Sequence, residues 1–254
     1  GRLTPPTRRG SVVNTAAPES SPYLDPQNRY LLFYRRPNTD KIYVSRRTAD
    51  GWSAAEQLGP PVNSFYAYEY AARVSPSGEY LFVNDKANGR IARVNLTYFE
   101  TDAITDVPNM QAIHGCCVLS PDTKYVLGNG EFRAPLPNDG TDAKNPDNYT
   151  SLFVAVDPES METQWQVKVD GNLDIVDTGK EGRWAISSAY NSEEATDIQG
   201  MTKDDRDNVK AFDIPAIEQA VENGNYEEVN GIPIVDGTQG SSLNQGDRPI
   251  VKYI

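Results

Sequence analysis

The chain has 254 residues and sets 24 Lys and Arg against 36 Asp and Glu, a net charge of −12. That balance argues against nucleic acid as a partner, because no basic surface remains to neutralise a phosphate backbone. Arg2, Arg8 and Arg9 make too short a basic patch to change this, and no apolar run approaches the length of a membrane span, so no membrane partner is expected either.

The composition, with 14 Tyr, 18 Pro and 19 Gly, suits an all-β protein of many short strands joined by turns. The length allows one large domain or two small ones. Cys116 and Cys117 are adjacent and cannot form a framework of bridges; they read as small residues on opposite faces of a strand. Gly1 reads as a processed start, and no secretory leader is recognisable.

Along the chain one pattern recurs four times: a polar turn, an aromatic residue, then an apolar run. It is DPQNRYLLF from Asp25, SPSGEYLFV from Ser75, SPDTKYVLG from Ser120 and, more loosely, DTGKEGRWAI from Asp177. The aromatics Tyr30, Tyr80, Tyr125 and Trp184 are separated by 50, 45 and 59 residues. That period fits four-stranded propeller blades better than a two-sheet sandwich. The segment before each turn is predicted as the inner strand: Val12–Ala16, Tyr68–Val74, Ile113–Leu119 and Leu173–Val176. The run after the turn is the second strand. The third strands are Lys41–Arg46, Arg90–Leu96, Ser151–Asp157 and Val209–Ile214. The fourth are Trp52–Leu58, Ala103–Val107, Thr163–Val169 and a segment near Ile232–Val235. The closing RPIVKYI is a further strand that either meets the N-terminal segment or completes the last blade. An amphipathic helix is expected over Ile214–Asn223, where Ile214, Ile217 and Val221 share a face.

The fold class is therefore a β-propeller with four recognisable four-stranded repeats, taken as one domain. It would close with four or five blades, or form an arc that associates with a second copy, since unpaired terminal blades expose strand edges. Insertions fall between second and third strands, at Arg133–Thr150 and at Asn191–Asn208, and function on such scaffolds sits on the loops. The second insertion carries Glu193, Glu194, Asp197, Asp204, Asp205 and Asp207 against only Lys203 and Arg206. A loop so acidic repels itself unless a cation sits in it.

The blocks LFVNDKANGRIARVNL, VPNMQAIHG, GNGEFRAPLPNDG, GNLD…YNSE…M…DRD and NGIPIVDG resemble the N-terminal β-propeller of nitrous oxide reductase, over about residues 80–254. Residues 17–83, through IYVSRRTADGWSAAEQLGPPVNS and EYAARVSPSGEYLF, are similar instead to a TolB-type propeller repeat. Two resemblances meeting in register with the repeat suggest an engineered or recombined chain, a TolB-like region over 1–83 followed by reductase-like blades over 84–254. Both resembled families imply a periplasmic location.

The resemblance implies a calcium ion bound by the carbonyls of Tyr190 and Met201 and the carboxylates of Glu193 and Asp207, hard oxygen donors of the kind calcium takes. It also implies copper held by many imidazoles, yet this chain has one histidine, His114 in AIHG. The preceding repeat reads YEYAARVS where a histidine pair is expected, so copper, and with it nitrous oxide reduction, is excluded for this chain. His114 is expected to be a hydrogen-bonded residue of an inner strand.

Other chemistry is thinly represented. SPYLDPQNRYLLFYRRP looks somewhat like the first blade of five-bladed glycosidases, with Asp25 as the acid, but no matching carboxylate is evident. No nucleophile elbow accompanies His114. No small-molecule substrate is identifiable. The expected function is a non-catalytic propeller scaffold with a calcium-binding loop, with a carbohydrate-active propeller or a protein-interaction platform as alternatives.

Overall fold

The computed structural model describes residues 10–25, 27–36, 41–59, 62–63, 69–85, 89–132, 150–170, 172–190, 208–237 and 250–253. Four sheets, antiparallel but for one parallel pairing in the third, follow one another along the chain in a four-bladed propeller arrangement. After a helical turn, α1 (Gly10–Val13), the first blade runs β1 (Glu19–Leu24), β2 (Tyr30–Arg35) and β3 (Lys41–Thr48), with β4 (Gly51–Trp52) and β5 (Glu56–Gln57) as short outer pieces on β3. The second is β6 (Glu69–Val74), β7 (Tyr80–Asp85), β8 (Arg90–Asn95) and β9 (Glu100–Asp106). The third is β10 (Met110–Leu119), β11 (Val126–Phe132), β12 (Thr150–Val156) and β13 (Thr163–Asp170). The fourth begins β14 (Asn172–Thr178), β15 (Trp184–Tyr190) and β16 (Asn208–Asp213).

Three strand predictions need correction. The inner strand of the first blade is Glu19–Leu24, not Val12–Ala16, since residues 10–13 make a helical turn. There Val13 is buried, and its carbonyl accepts from Arg35 Nη2 at 2.7 Å. The outer strand of that blade, expected over Trp52–Leu58, is broken into β4 and β5. The segment near Ile232–Val235 does not close the fourth blade. After β16 the chain forms α2 (Ile214–Glu222), β17 (Glu227–Val229) and β18 (Ile232–Asp236). β18 lies parallel to β13, matching Gln166 with Ile234, in the third blade's sheet. The chain then returns as β19 (Val251–Tyr253), antiparallel to β16, which completes the fourth blade. This excursion from blade four to blade three and back straps the two outer edges together. Helix α2 itself is as expected: a proline in its first turn, Ile214, Ile217 and Ala220 buried, Val221 half-buried.

The repeated turn is the same structure four times. Its first N–H donates to the carbonyl of the aromatic residue: Asp25 to Tyr30, Ser75 to Tyr80, Ser120 to Tyr125 and Gly179 to Trp184, at 2.8–3.0 Å. A second N–H bonds back to the first carbonyl, from Asn28, Gly78, Thr123 and Gly182, and each of these four has a positive φ of 58–73°. A cation lies over each aromatic ring: Arg29 on Tyr30, Arg93 on Tyr80, Lys124 on Tyr125, Arg183 on Trp184, at 4.8–5.2 Å from the centroids. The basic residue in three of the four motifs thus has a physical job, covering the ring at the strand start.

The blades are joined by three apolar seams. Leu32, Tyr34, Ile42 and Val44 of the first pack on Val74, Leu81, Val83 and Val94 of the second. Phe82 and Ile91 of the second meet Ile113, Val126, Leu152 and Val154 of the third. Phe153, Trp165 and Val167 of the third meet Leu173, Ala185 and Phe212 of the fourth, with Ile217 of α2. Alternate residues on each strand thus face the preceding and following blades, which is why the second strands read as near-continuous apolar runs.

Asp25 belongs to this architecture. It is 1% exposed, and its Oδ2 accepts from the Arg29 backbone N–H and from Arg29 Nε, both at 3.0 Å. Arg29 Nη2 in turn donates to the carbonyl of Gly78 in the next blade's turn at 2.9 Å, and Gln27 Nε2 to that of Ser77 at 3.0 Å. A Cβ at Gly78 would run into the Arg29 guanidinium and come within 2.9 Å of Asp25 Oδ1. Glycine's φ of +73° and its missing side chain are both needed there. Burial alone would raise the Asp25 carboxyl, but the two hydrogen bonds and the charge of Arg29 outweigh it and hold its pKa below the ordinary value. A depressed carboxylate contributes stability above its unfolded pKa, near 3.9, and loses it as pH falls through the lower folded value. The wild-type chain is therefore expected to lose stability below about pH 4 more steeply than Asp25→Asn, in urea midpoints measured from pH 7 to pH 3. Parallel pH profiles for the two would remove Asp25 from this role.

Candidate functional site at the inner strands and the acidic loop

The first candidate is the segment around His114. Its backbone lies on β10, between Ile113, which is fully buried and pairs with Gly130, and Gly115, which pairs with Asn129. The environment of its side chain lies outside what is described. The corresponding strand of the second blade, β6, carries no imidazole. Each inner strand takes a shift in register against its neighbour; between Gly115 and Val118, one extra residue of β10 faces β11. Cys116 and Cys117 sit in that irregular stretch. The expectation of two unlinked small residues on opposite faces is corrected: the two are joined as a disulfide, and both are buried in the seam with the second blade.

Sequence reasoning missed the polar residues that fix this segment. Asn84 and Asn129 each stand four residues after the repeat's tyrosine, and both are fully buried. Asn84 Nδ2 donates to the carbonyl of Ile113 at 3.1 Å, tying the second blade to the third. Asn129 Oδ1 accepts from Gly115 N–H at 2.9 Å, and its Nδ2 donates to Ser187 Oγ at 2.9 Å in the fourth. Ser151 Oγ accepts from Leu173 N–H at 3.1 Å across the same seam. In an apolar interior each such group needs its partner, because an unpaired one costs its full desolvation. The signal was present as Asn at one offset in two consecutive repeats.

A second amide cluster holds the strap. Asn109 Nδ2 donates to Gln166 Oε1 and to the Val229 carbonyl, both at 3.0 Å, while Asn230 Nδ2 donates to Asn109 Oδ1 at 2.7 Å. Gln166 Nε2 donates to the Pro108 carbonyl at 2.6 Å. Helix α2 is pinned from the third blade, where Glu218 Oε1 accepts from the Tyr125 hydroxyl at 2.7 Å and pairs with Lys124. Burial, helped by that carboxylate, holds the Tyr125 phenol above its ordinary pKa, so it stays protonated as the donor.

A separate candidate is the acidic loop. β15 and β16 pair in register from Trp184 with Asp213 to Ala189 with Asn208. Tyr190 is the last residue of β15, and its backbone also pairs with Asn172 of β14. The loop's two roots are therefore side by side: Tyr190 follows Ala189, and residue 207 precedes that residue's partner Asn208. Of the four expected ligands, Glu193, Met201 and Asp207 lie outside the described residues. Most of the other insertion, Arg133–Thr150, lies outside them as well. Among the described residues, no group of three or more His, Cys, Asp or Glu is placed to hold a metal ion.

Comparison with known proteins follows these elements. Residues 107–175 match the model of nitrous oxide reductase propeller repeat 2. The chain is 47% identical over 182 residues to a nitrous-oxide reductase of Pseudomonas fluorescens, covering 70% of this chain and 28% of that protein. It is 47% identical over 165 residues to the nitrous-oxide reductase of Stutzerimonas stutzeri, covering 63% and 26%. The one from Ralstonia nicotianae is 40% identical over 176 residues, covering 65% and 27%. The chain thus spans little more than a quarter of the length of these relatives. Among solved structures, Kuenenia stuttgartiensis hydrazine synthase superposes with a TM-score of 0.51 at 14% identity, over 83% of this chain and 50% of that one. At that identity the likeness concerns the fold alone. By its blade order, turns and seams, the chain is a four-bladed propeller arrangement that resembles the propeller region of nitrous oxide reductase, its residues 107–175 matching that family's second propeller repeat.

Proposed function

We propose that this chain is a non-catalytic propeller scaffold, one domain, whose loop between β15 and β16 binds a calcium ion. The observation that carries the reading is the register at the loop's roots. Ala189 pairs with Asn208, so the two strand ends from which the loop departs are held side by side with no help from the loop itself. Six carboxylates and two basic side chains lie in the chain between those two strands, and an ion bound by Glu193, Asp207 and the carbonyls of Tyr190 and Met201 removes their repulsion. The run YNSE…M…DRD, which resembles the calcium loop of the nitrous oxide reductase family, supports the choice of loop.

Copper does not fit the donors this chain offers. It has one imidazole, and its two cysteine sulfurs are joined to each other, whereas a copper site of this kind needs several neutral nitrogen ligands. The propeller of residues 17–83 is read as a TolB-type repeat joined in register to the reductase-like blades; support for that join is the unbroken succession of the four turns. The carbohydrate-active alternative would use Asp25. The burial of that carboxylate and its bonds to Arg29 favour a turn-holding role instead.

The test of the calcium reading is the melting temperature with calcium and with a chelator. Binding to the folded state only adds about 2.7 kcal/mol at roughly a hundred times the dissociation constant. For a chain of this size that raises Tm by about 5–10 °C. Glu193→Gln and Asp207→Asn abolish the gain; Glu194→Gln keeps it. Equal melting temperatures in both buffers would reject the ion and leave an acidic, solvated loop.

A further inference from the structure

The four blades do not finish alike. In the first blade the outer edge is broken into two-residue pieces, β4 and β5. In the third, β13 is covered by β18 and then β17. In the fourth, the edge is the three-residue β19. The second blade ends on β9, seven residues with no strand beyond it, the longest outer edge among the described residues. Its exposure alternates without interruption: Thr101, Ala103 and Thr105 are half-buried, while Glu100, Asp102, Ile104 and Asp106 are exposed. Ala103 packs inward on the seam below. One extra residue, Asp102, enters the pairing with β8, where Arg93 takes Ala103 and Val94 takes Thr101. The side chain of Asp102 is drawn to Arg93 Nε at 2.9 Å. The run Ala103–Asp106 beyond it pairs regularly with Arg90–Arg93.

We propose that this open edge is a docking site for an extended peptide segment that adds to β9 as a further strand. An unpaired edge offers a row of main-chain donors and acceptors, which is what strand addition uses for affinity, and the side chains on one face set the choice of partner. Here that face reads Asp102, bonded to Arg93 through Oδ1, then Ile104, 50% exposed, then Asp106. A strand placed beside it puts one residue opposite Ile104 and its next-but-one neighbours opposite Asp102 and Asp106. The partner of matching chemistry is therefore a basic segment with a β-branched residue at its centre and Lys or Arg two positions to either side. The acidic character of the whole chain, −12, favours the same partner at longer range.

The test uses a fluorescein-labelled peptide, Thr-Lys-Thr-Val-Thr-Lys-Thr, titrated with the full 254-residue chain and read by anisotropy. A second peptide of identical side chains is N-methylated at alternate residues, which keeps the charge and removes the edge hydrogen bonds. The expected result is saturable binding that weakens with salt, and a loss of at least about tenfold for the N-methylated peptide. Ile104→Lys weakens binding by a similar factor, while Ile186→Lys, an equally exposed apolar position on the fourth blade, leaves it unchanged. Equal binding of the two peptides would mean attraction to an acidic surface only, and the proposal falls. No binding at about 1 mM peptide in low salt overturns it as well.

Discussion

Phe153→Ala is expected to cost about 3–5 kcal/mol and to lower Tm by roughly 6–20 °C. Phe153 is fully buried on β12 and stacks on Phe212 of β16, with centroids 4.1 Å apart and rings 17° from parallel. Its other side meets Trp165 at 6.0 Å. It therefore bridges the third blade to the fourth at the middle of their seam. Truncation removes the transfer energy of the ring and leaves a cavity between two sheets that are held apart by the surrounding Leu127, Val167 and Leu173. The alternative outcome, a loss below about 1.5 kcal/mol, would mean that the blades close over the gap and the seam is soft. Urea titration followed by circular dichroism decides between them. A change in slope without a change in midpoint would show separate melting of the fourth blade rather than loss of stability.

Asn129→Leu is the second large effect, and it acts through polarity with shape nearly kept. The replacement takes a partner from two buried groups at once: Gly115 N–H loses its acceptor and Ser187 Oγ loses a donor. Ser187 still reaches the Ser188 carbonyl at 3.2 Å, whereas Gly115 N–H loses the acceptor that Asn129 Oδ1 supplied. Leaving a buried donor unpaired costs about 1–3 kcal/mol, so a total of about 2–4 kcal/mol is expected. Hydrogen exchange gives the sharper readout. The Gly115 amide should exchange much faster in the variant, while amides of β7 and β8 in the second blade keep their protection. Unchanged protection at Gly115 would mean that the irregular stretch of β10 does not depend on this side chain. The pair of variants separates the two forces in one seam: Phe153 measures packing, and Asn129 measures the satisfaction of a register shift.

Much of the architecture was legible in the residues because it is local. The polar turn, the aromatic after it and the apolar run are set within ten residues of chain, by a positive-φ position and by a hydrogen bond from the turn's first residue to the aromatic. Four copies at propeller period then left one reasonable fold class. Helix α2 was readable for the same reason, as a proline followed by apolar residues on one face. In contrast, the inner strand of the first blade was placed too early. Val12–Ala16 is apolar enough for a strand, but SPYL before Asp25 has the partners, and partnership is a property of two segments.

What the tertiary structure alone decided is where segments distant in sequence meet. IPIV near Ile232 has the composition of any strand. It joins the third blade, parallel to β13, because α2 carries the chain across and the Asn109, Gln166 and Asn230 amides lock it there. The closing strand was then free to pair with β16. Asp25 looked as fit for catalysis as for a turn until its burial and its bonds to Arg29 placed it under the turn of the next blade. For the candidate site, the sequence supplied the acidic loop, and the fold supplied the adjacency of its roots. By itself the sequence determined charge, repeat, turn and the single imidazole, all of which depend on identity and short-range spacing. The structure decided blade membership, the buried amide seams and, among the described residues, the one long open outer edge, because these depend on which backbone groups are left without a partner after the blades have packed.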